Sequence, residues 1–136
     1  MRVESVNTGV PARVAGRSSL SGIDKKPRTG RVAVGRLGLD GDHVLDTKHH
    51  GGPDQPIYVY CVEDYDWWKA ELRRDLGPGA FGENLTVSGV ATADISVGDR
   101  FQSAGGLLLE ASAARIPCNT FAAHMGDKLF VKRFFK

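Results

Sequence analysis

Hydrophobic positions in this chain come in short runs broken by glycine, proline and polar residues. Val3 and Val6, set among polar neighbours, predict a strand over residues 2–7, and a second is expected around residues 12–15. Residues 31–35 alternate apolar and polar at period two and read as a strand. Residues 57–61 are β-branched and aromatic and read as another. One helix is well marked. Val62, Tyr65, Trp68, Leu72 and Leu76 fall on one face, with Glu63 and Asp64 at the start, Arg73 and Arg74 at the end and Gly77-Pro78 as the stop. This spacing predicts a helix over residues 62–76. A glycine turn then leads into a strand ending at Val87. Residues 100–103 and 107–109 are expected to form a hairpin across Ala104-Gly105-Gly106. Residues 128–136 mix charge with Phe130, Val131, Phe134 and Phe135 and read as a helix. About six or more short strands with two or three short helices imply a mainly β barrel or an α+β fold.

Composition narrows the class. The 136 residues make one domain, residues 1–136, large enough for a real core. A formal charge of +2, with the basic residues dispersed, argues against nucleic acid as partner. No apolar run approaches the length of a membrane span, and Met1-Arg-Val-Glu-Ser-Val has no signal-peptide core. With two cysteines and no export signal, a cytoplasmic, reduced protein is expected. Nothing in the sequence calls for a disulfide between Cys61 and Cys118.

Candidate chemistry centres on residues 112–126. Pro117 suits the first position of a helix. Cys118, Phe121, Ala122 and Met125 follow on one face, and Gly126 suits the stop. Cys118 is thereby expected in the first turn beside Arg115, where helix N–H groups and a guanidinium favour thiolate. Burial competes with this reading, because free cysteine often only fills space. Residues 37–54 are irregular, rich in glycine and aspartate, and hold three of the four histidines. Glycines there allow close backbone approach and an anion nest. A metal site ranks lower, since no His-x-x-x-His, Cys-x-x-Cys or EF-hand spacing is present. Lys25, Lys26 and Arg28 form a small basic cluster in a loop that is either solvated or in contact with an anion. Glu83 and Asn84 sit beside a glycine, as a polar turn or a small-ligand contact would.

Five short stretches carry a resemblance. Asp46-Thr-Lys-His-His-Gly-Gly-Pro-Asp54, Tyr65-Asp-Trp67, Phe81-Gly-Glu-Asn-Leu-Thr86, Val97-Gly-Asp99 and Ala114-Arg-Ile-Pro-Cys118 occur in the order found in the MOSC domain. That is the C-terminal domain of molybdenum cofactor sulfurases, and the chain resembles its stand-alone, YiiM-like bacterial branch. The resemblance implies a MOSC-type β-barrel similar to the pyruvate kinase barrel domain, with a few short helices. It implies binding of the molybdenum cofactor, a pterin dithiolene (molybdopterin) with a phosphate. It places the family's cysteine at Cys118, as catalytic residue and molybdenum ligand. The expected cofactor-binding residues are Arg28, Lys48, His49, His50, Gly51, Gly52, Asp54, Glu83, Asn84 and Arg115, with Lys26 near the phosphate. Family members usually continue beyond the point where this chain ends at Phe134-Phe135-Lys136. The expectation drawn from this is an exposed barrel edge met by self-association into a homodimer, through residues 128–136 or an early strand; the alternative is that the chain already closes and the usual extra strand is dispensable.

Three functions compete. The first is a molybdenum cofactor-dependent oxidoreductase acting on a small N-hydroxylated substrate. Its electrons would come from an external donor protein, since the chain has no flavin, haem or cysteine-rich cluster motif. The second is a cofactor-binding or sulfur-carrier module with a Cys118 persulfide and no reductase turnover. The third is a metal-dependent hydrolase using the Asp/His segment. In all three Cys61 is expected to be a packing residue at a strand end.

Overall fold

The computed structural model describes residues 1–135. In chain order the elements are β1 (Arg2–Thr8), β2 (Ala12–Arg13), β3 (Leu20–Ser21), β4 (Lys26–Pro27), β5 (Val34–Gly35), β6 (Gly38–Leu39), β7 (Val59–Cys61), α1 (Val62–Leu72), β8 (Leu85–Ser88), β9 (Arg100–Gln102), β10 (Leu108–Glu110), α2 (Asn119–Met125) and α3 (Phe130–Phe134). The frame is a four-stranded sheet in the order β4-β1-β8-β7. Within it β8 pairs antiparallel with β1 and parallel with β7. The pairs β2/β3, β5/β6 and β9/β10 form separate two-stranded ladders.

The mainly β class with short helices holds, but no closed barrel forms among the described residues. The sheet stays open because its edges are too short to continue the ladder. β4 has two residues, and one of them, Pro27, has no N–H to donate. The expected strand over 31–35 shrinks for a similar reason. Only Val34 and Gly35 pair, with Leu39 and Gly38, across a tight turn. Ile57 and Tyr58 fall outside β7 because a side chain substitutes for the ladder: the Tyr58 N–H donates to Asn84 Oδ1 at 3.1 Å.

The helix α1 ends four residues earlier than its apolar spacing suggests. Arg73 takes the left-handed conformation, φ 50° and ψ 41°, and turns the chain. Leu76 still reaches the core from beyond that turn. The last segment is helical, as expected. It buries Phe130 completely, and Phe134 stacks on Trp68. Phe130, Val131 and Phe134 therefore find partners within the chain, while Leu129 and Phe135 stay exposed. Among the described residues, 130–134 are helical and present no strand edge there.

Alternation along the sheet divides the core in two. Tyr60 points into an aromatic cluster with Tyr65, Trp68, Phe81, Phe121 and Phe130, closed by the three helices. Cys61, Leu85 and Val87 point into an aliphatic cluster with Leu39. At the start of β8 a fully buried Glu83 ties these layers together. It accepts hydrogen bonds from the Tyr65 hydroxyl, from the Gly79 N–H at 2.7 Å, from the Thr86 hydroxyl at 2.6 Å and from the Phe81 N–H at 3.1 Å. Asn7 on β1 donates to Thr86 Oγ1 at 3.1 Å and extends the network across the sheet. Burial together with this carboxyl group raises the Tyr65 pKa far above that of an ordinary phenol.

Glu83→Ala strands four donors inside the protein and is expected to lower the unfolding free energy by about 3–5 kcal/mol. Tyr65→Phe removes one of them and is expected to cost about 1 kcal/mol. Urea unfolding measures both. A Glu83→Ala loss below about 1 kcal/mol would mean that this carboxyl does not organise the sheet.

Candidate functional site

Three stretches of chain between the elements converge on one cleft of about 740 Å³. The first is the turn around β3, residues 17–23. The second is the irregular segment after β6, with His43, Asp46, His49, His50 and Gly51, continuing to Tyr58. The third approaches α2 and brings Arg115, Ile116, Cys118 and Thr120. The volume is that of a small-molecule or cofactor site.

Backbone contact without side chains lets these stretches close. A Cβ on Gly9 would lie 2.1 Å from Gly22 O, and one on Gly22 would lie 1.9 Å from His43 O. Only glycine fits at either place. Beneath them lies Asp42, whose carboxylate receives Lys25 Nζ at 2.5 and 2.7 Å, the Gly9 N–H at 2.8 Å and Asn84 Nδ2 at 2.7 Å. Burial alone would raise the Asp42 pKa, but these hydrogen bonds outweigh it and hold the carboxyl below its usual range. Burial lowers Lys25, against the pull of Asp42. His43 Nδ1 lies 3.0 Å from Gly9 O and pins the same corner.

Of the residues expected at the site, Cys118, Arg115, His49, His50, Gly51 and Asn84 line the cleft. Arg28, Lys48, Gly52, Asp54 and Glu83 are not among its lining residues, nor is Lys26. Arg28 donates to Thr8 Oγ1 at 3.3 Å, and Lys26 pairs with Asp24. Lys48 and Asp54 are exposed. Glu83 is committed to the buried network described above. Asn84 borders the cleft, but its amide is already spent on Tyr58, Asp42 and Asn7. Lys25, set in the basic loop, reaches the cleft floor paired with Asp42. Arg17, Asp42, His43 and Tyr58 were missed. Asp42 and His43 lie in the irregular segment already singled out, but neither burial nor pairing shows in the residue string.

Cys118 sits two positions earlier in its helix than expected. It is the N-cap of α2, with extended φ −129° and ψ 172°, and its carbonyl accepts from the Ala122 N–H at 3.0 Å. It is half-buried, whereas Cys61 is 1% exposed within the aliphatic cluster. Burial raises the Cys61 pKa. His49 and His50 are not on extended chain. Both N–H groups bond Asp46 O in a turn, which brings both rings to the cleft. His49 pairs with Asp46 at 3.0 Å. His50 is half-buried, and burial with the nearby Arg115 charge lowers its pKa. Among the described residues, no three His, Cys, Asp or Glu side chains gather as a metal site. Among them, too, no helix is long and apolar enough to cross a membrane.

The MOSC domain profile matches residues 46–136. The chain belongs to the MOSC domain family. It is 37% identical over 131 residues to the uncharacterized protein YflK of Bacillus subtilis, covering 95% of this chain and 59% of YflK. It is 35% identical over 108 residues to YiiM of Escherichia coli, covering 76% and 47%. A protein named Reductase from Gibberella moniliformis is 33% identical over 101 residues, covering 72% of this chain and 18% of that protein. The crystal structure of YiiM from Geobacillus stearothermophilus superposes with a TM-score of 0.74 at 29% identity, covering 98% of this chain and 60% of that one. The MOSC chain here thus spans about half to three-fifths of the bacterial relatives it matches. MOSC domains are associated with the molybdenum cofactor in general, which agrees with the cleft's cationic and thiol-bearing wall.

Two predictions follow from this geometry. In the folded protein iodoacetamide is expected to label Cys118 and to spare Cys61 until the chain is unfolded, as peptide mass spectrometry would show. Labelling of Cys61 first would reverse the assignment. Asp42, with its folded pKa below the unfolded one, adds stability that is present at neutral pH. That stability is lost as pH falls from about 4 through the folded value. Asp42→Asn leaves Lys25 buried without its partner and is expected to cost about 3–5 kcal/mol at pH 7. It should also flatten the acid limb of the stability curve. An acid limb unchanged in the variant counts against the pair.

Proposed function

We propose that this chain holds a molybdenum cofactor in the cleft, with Cys118 as a protein ligand to molybdenum. It then serves the reduction of a small N-hydroxylated compound, with electrons from an external donor protein. The observation that carries the reading is that Cys118 and Arg115 share one cofactor-sized cleft with His50 and Gly51. A soft thiolate suits a metal already bound by two dithiolene sulfurs. Arg115, whose Nε is buried without a partner, fits an anionic group. Gly51, with φ 73°, keeps that part of the wall free of a side chain.

When bound, the cofactor supplies the two-electron redox centre, and the protein supplies binding and orientation. The overall change converts an N–OH group to N–H and water, consuming two electrons and two protons. His50, lowered in pKa and lining the cleft, is the side chain assigned to hand on protons. The apolar side chains Leu20, Leu45 and Ile116 line the same cleft and offer apolar surface to a bound ligand.

Protein purified from cells that make the cofactor is expected to carry molybdenum and pterin together. Cys118→Ser is expected to lose the molybdenum, while Cys61→Ser retains it. Loaded wild-type protein, given a chemical reductant, is expected to convert an amidoxime to its amidine. Cyanide-labile sulfur on Cys118 without pterin would instead make the chain a sulfur carrier, and a divalent metal without pterin would overturn both readings.

A further inference from the structure

Among the described residues, two buried polar groups at the cleft have no hydrogen-bond partner: the Tyr58 hydroxyl and Arg115 Nε. Both residues line the cleft. The other buried side-chain polar atoms of the described residues have partners, as at Glu83 and Asp42. Two orphans side by side in one wall call for a local cause. They do touch each other, since the Arg115 guanidinium lies over the Tyr58 ring at 4.5 Å and over the Phe121 ring at 5.0 Å. Two aromatic faces hold the guanidinium plane, and a planar fork so held suits a tetrahedral or planar oxyanion.

Charge points the same way. No carboxylate pairs with Arg115 among the described residues. Its field reaches Lys25 and His50, and in both it disfavours the protonated form. Three groups that carry positive charge when protonated therefore converge there. The carboxylates that face these groups are engaged elsewhere: Asp42 pairs with Lys25, and Asp46, which lines the cleft and acts on His50, pairs with His49. Nor is Tyr58 free to turn away. Its N–H donates to Asn84 Oδ1, and its carbonyl accepts from Asn84 N–H at 2.8 Å and from Leu85 N–H at 3.1 Å. The start of β8 thus fixes where the phenol projects.

We propose that Tyr58 and Arg115 form an oxyanion subsite in the cleft wall, in which the phenol O–H and the guanidinium donate to a phosphate-like group. Tyr58 is a binding residue on this assignment, and the Phe121 ring is the platform that orients Arg115. The subsite rests on the orphaned donors and the uncompensated cation, and it stands whether or not molybdenum is the metal carried. The oxyanion is supplied either by a phosphate on a bound cofactor or by an anionic substrate.

The test uses inorganic phosphate on the cofactor-free protein, followed by calorimetry and by the melting temperature. Wild-type protein is expected to bind phosphate and to melt higher with it. Tyr58→Phe deletes only the hydroxyl and is expected to weaken phosphate binding about tenfold. Without phosphate, the same variant is expected to melt no lower than wild type, because an unsatisfied donor is gone. Arg115→Gln is expected to abolish binding. Should that variant fail to fold, Arg115→Lys keeps the charge, loses the fork and is expected to bind more weakly. A second arm repeats the titration on cofactor-loaded protein, with molybdenum and pterin measured separately. Phosphate excluded by loading assigns the subsite to the cofactor, and phosphate still bound assigns it to substrate; either result sustains the subsite. Absence of phosphate binding by the wild type overturns the proposal. So does a Tyr58→Phe protein that melts lower yet binds phosphate as tightly as wild type.

Discussion

A buried aspartate holds the cleft together. Asp42 takes both contacts of Lys25, the backbone of Gly9 and the amide of Asn84, so four separate stretches of chain meet at one carboxylate. The stretches that carry Lys25 and Asp42 have too little regular structure to place themselves. β2, β3 and β4 are two residues long, and the segment after β6 has no ladder at all. In such a region backbone position comes from side-chain hydrogen bonds and from glycine contacts, here Gly9 on Gly22 and Gly22 on His43. A buried ion pair of this kind contributes little net stability over an apolar alternative, but breaking it by half is costly. Its value in this fold is that it specifies one arrangement of loops.

The same logic separates the two cysteines. Cys61 ends β7 and points to the aliphatic face, where Leu85 and Val87 enclose it. Cys118 ends an extended stretch and caps α2 at the cleft. Residue type is identical, and reach to solvent and ligand differs. The aromatic cluster sets the second position, because Phe121, Ala122 and Met125 bury one face of α2 and leave its N-cap at the margin.

Polar residues proved harder to read than apolar ones. Glu83 and Asn84 stand beside Gly82 and have the look of a ligand contact, yet Glu83 is wholly internal and Asn84 spends its amide on the protein. Arg28 and Lys48 are basic residues near the right segments, but they lie outside the cleft lining. A sequence shows which groups want hydrogen-bond partners. It does not show whether the partner is backbone, solvent or ligand, because that depends on how separate segments fold together: Asn84 meets Tyr58, Asp42 and Asn7, which lie 26, 42 and 77 positions away. Tyr58 is the converse case, since nothing in a β-branched and aromatic run signals a phenol left without an acceptor.

Local regularity was legible in the residues themselves. The apolar face of α1, that of α2 with its Gly126 stop, the helical final segment and the hairpin of β9 and β10 all follow from short-range spacing. So did the family, because its motifs are contiguous. Closure did not follow. Whether the strands wrap into a barrel or remain an open sheet depends on edge length and on which edges meet, and these are properties of long-range pairing. Which polar groups face the cleft was likewise decided only by tertiary structure. Burial in a fold with few long elements is set by contacts between distant loops, and no periodicity along the chain encodes it.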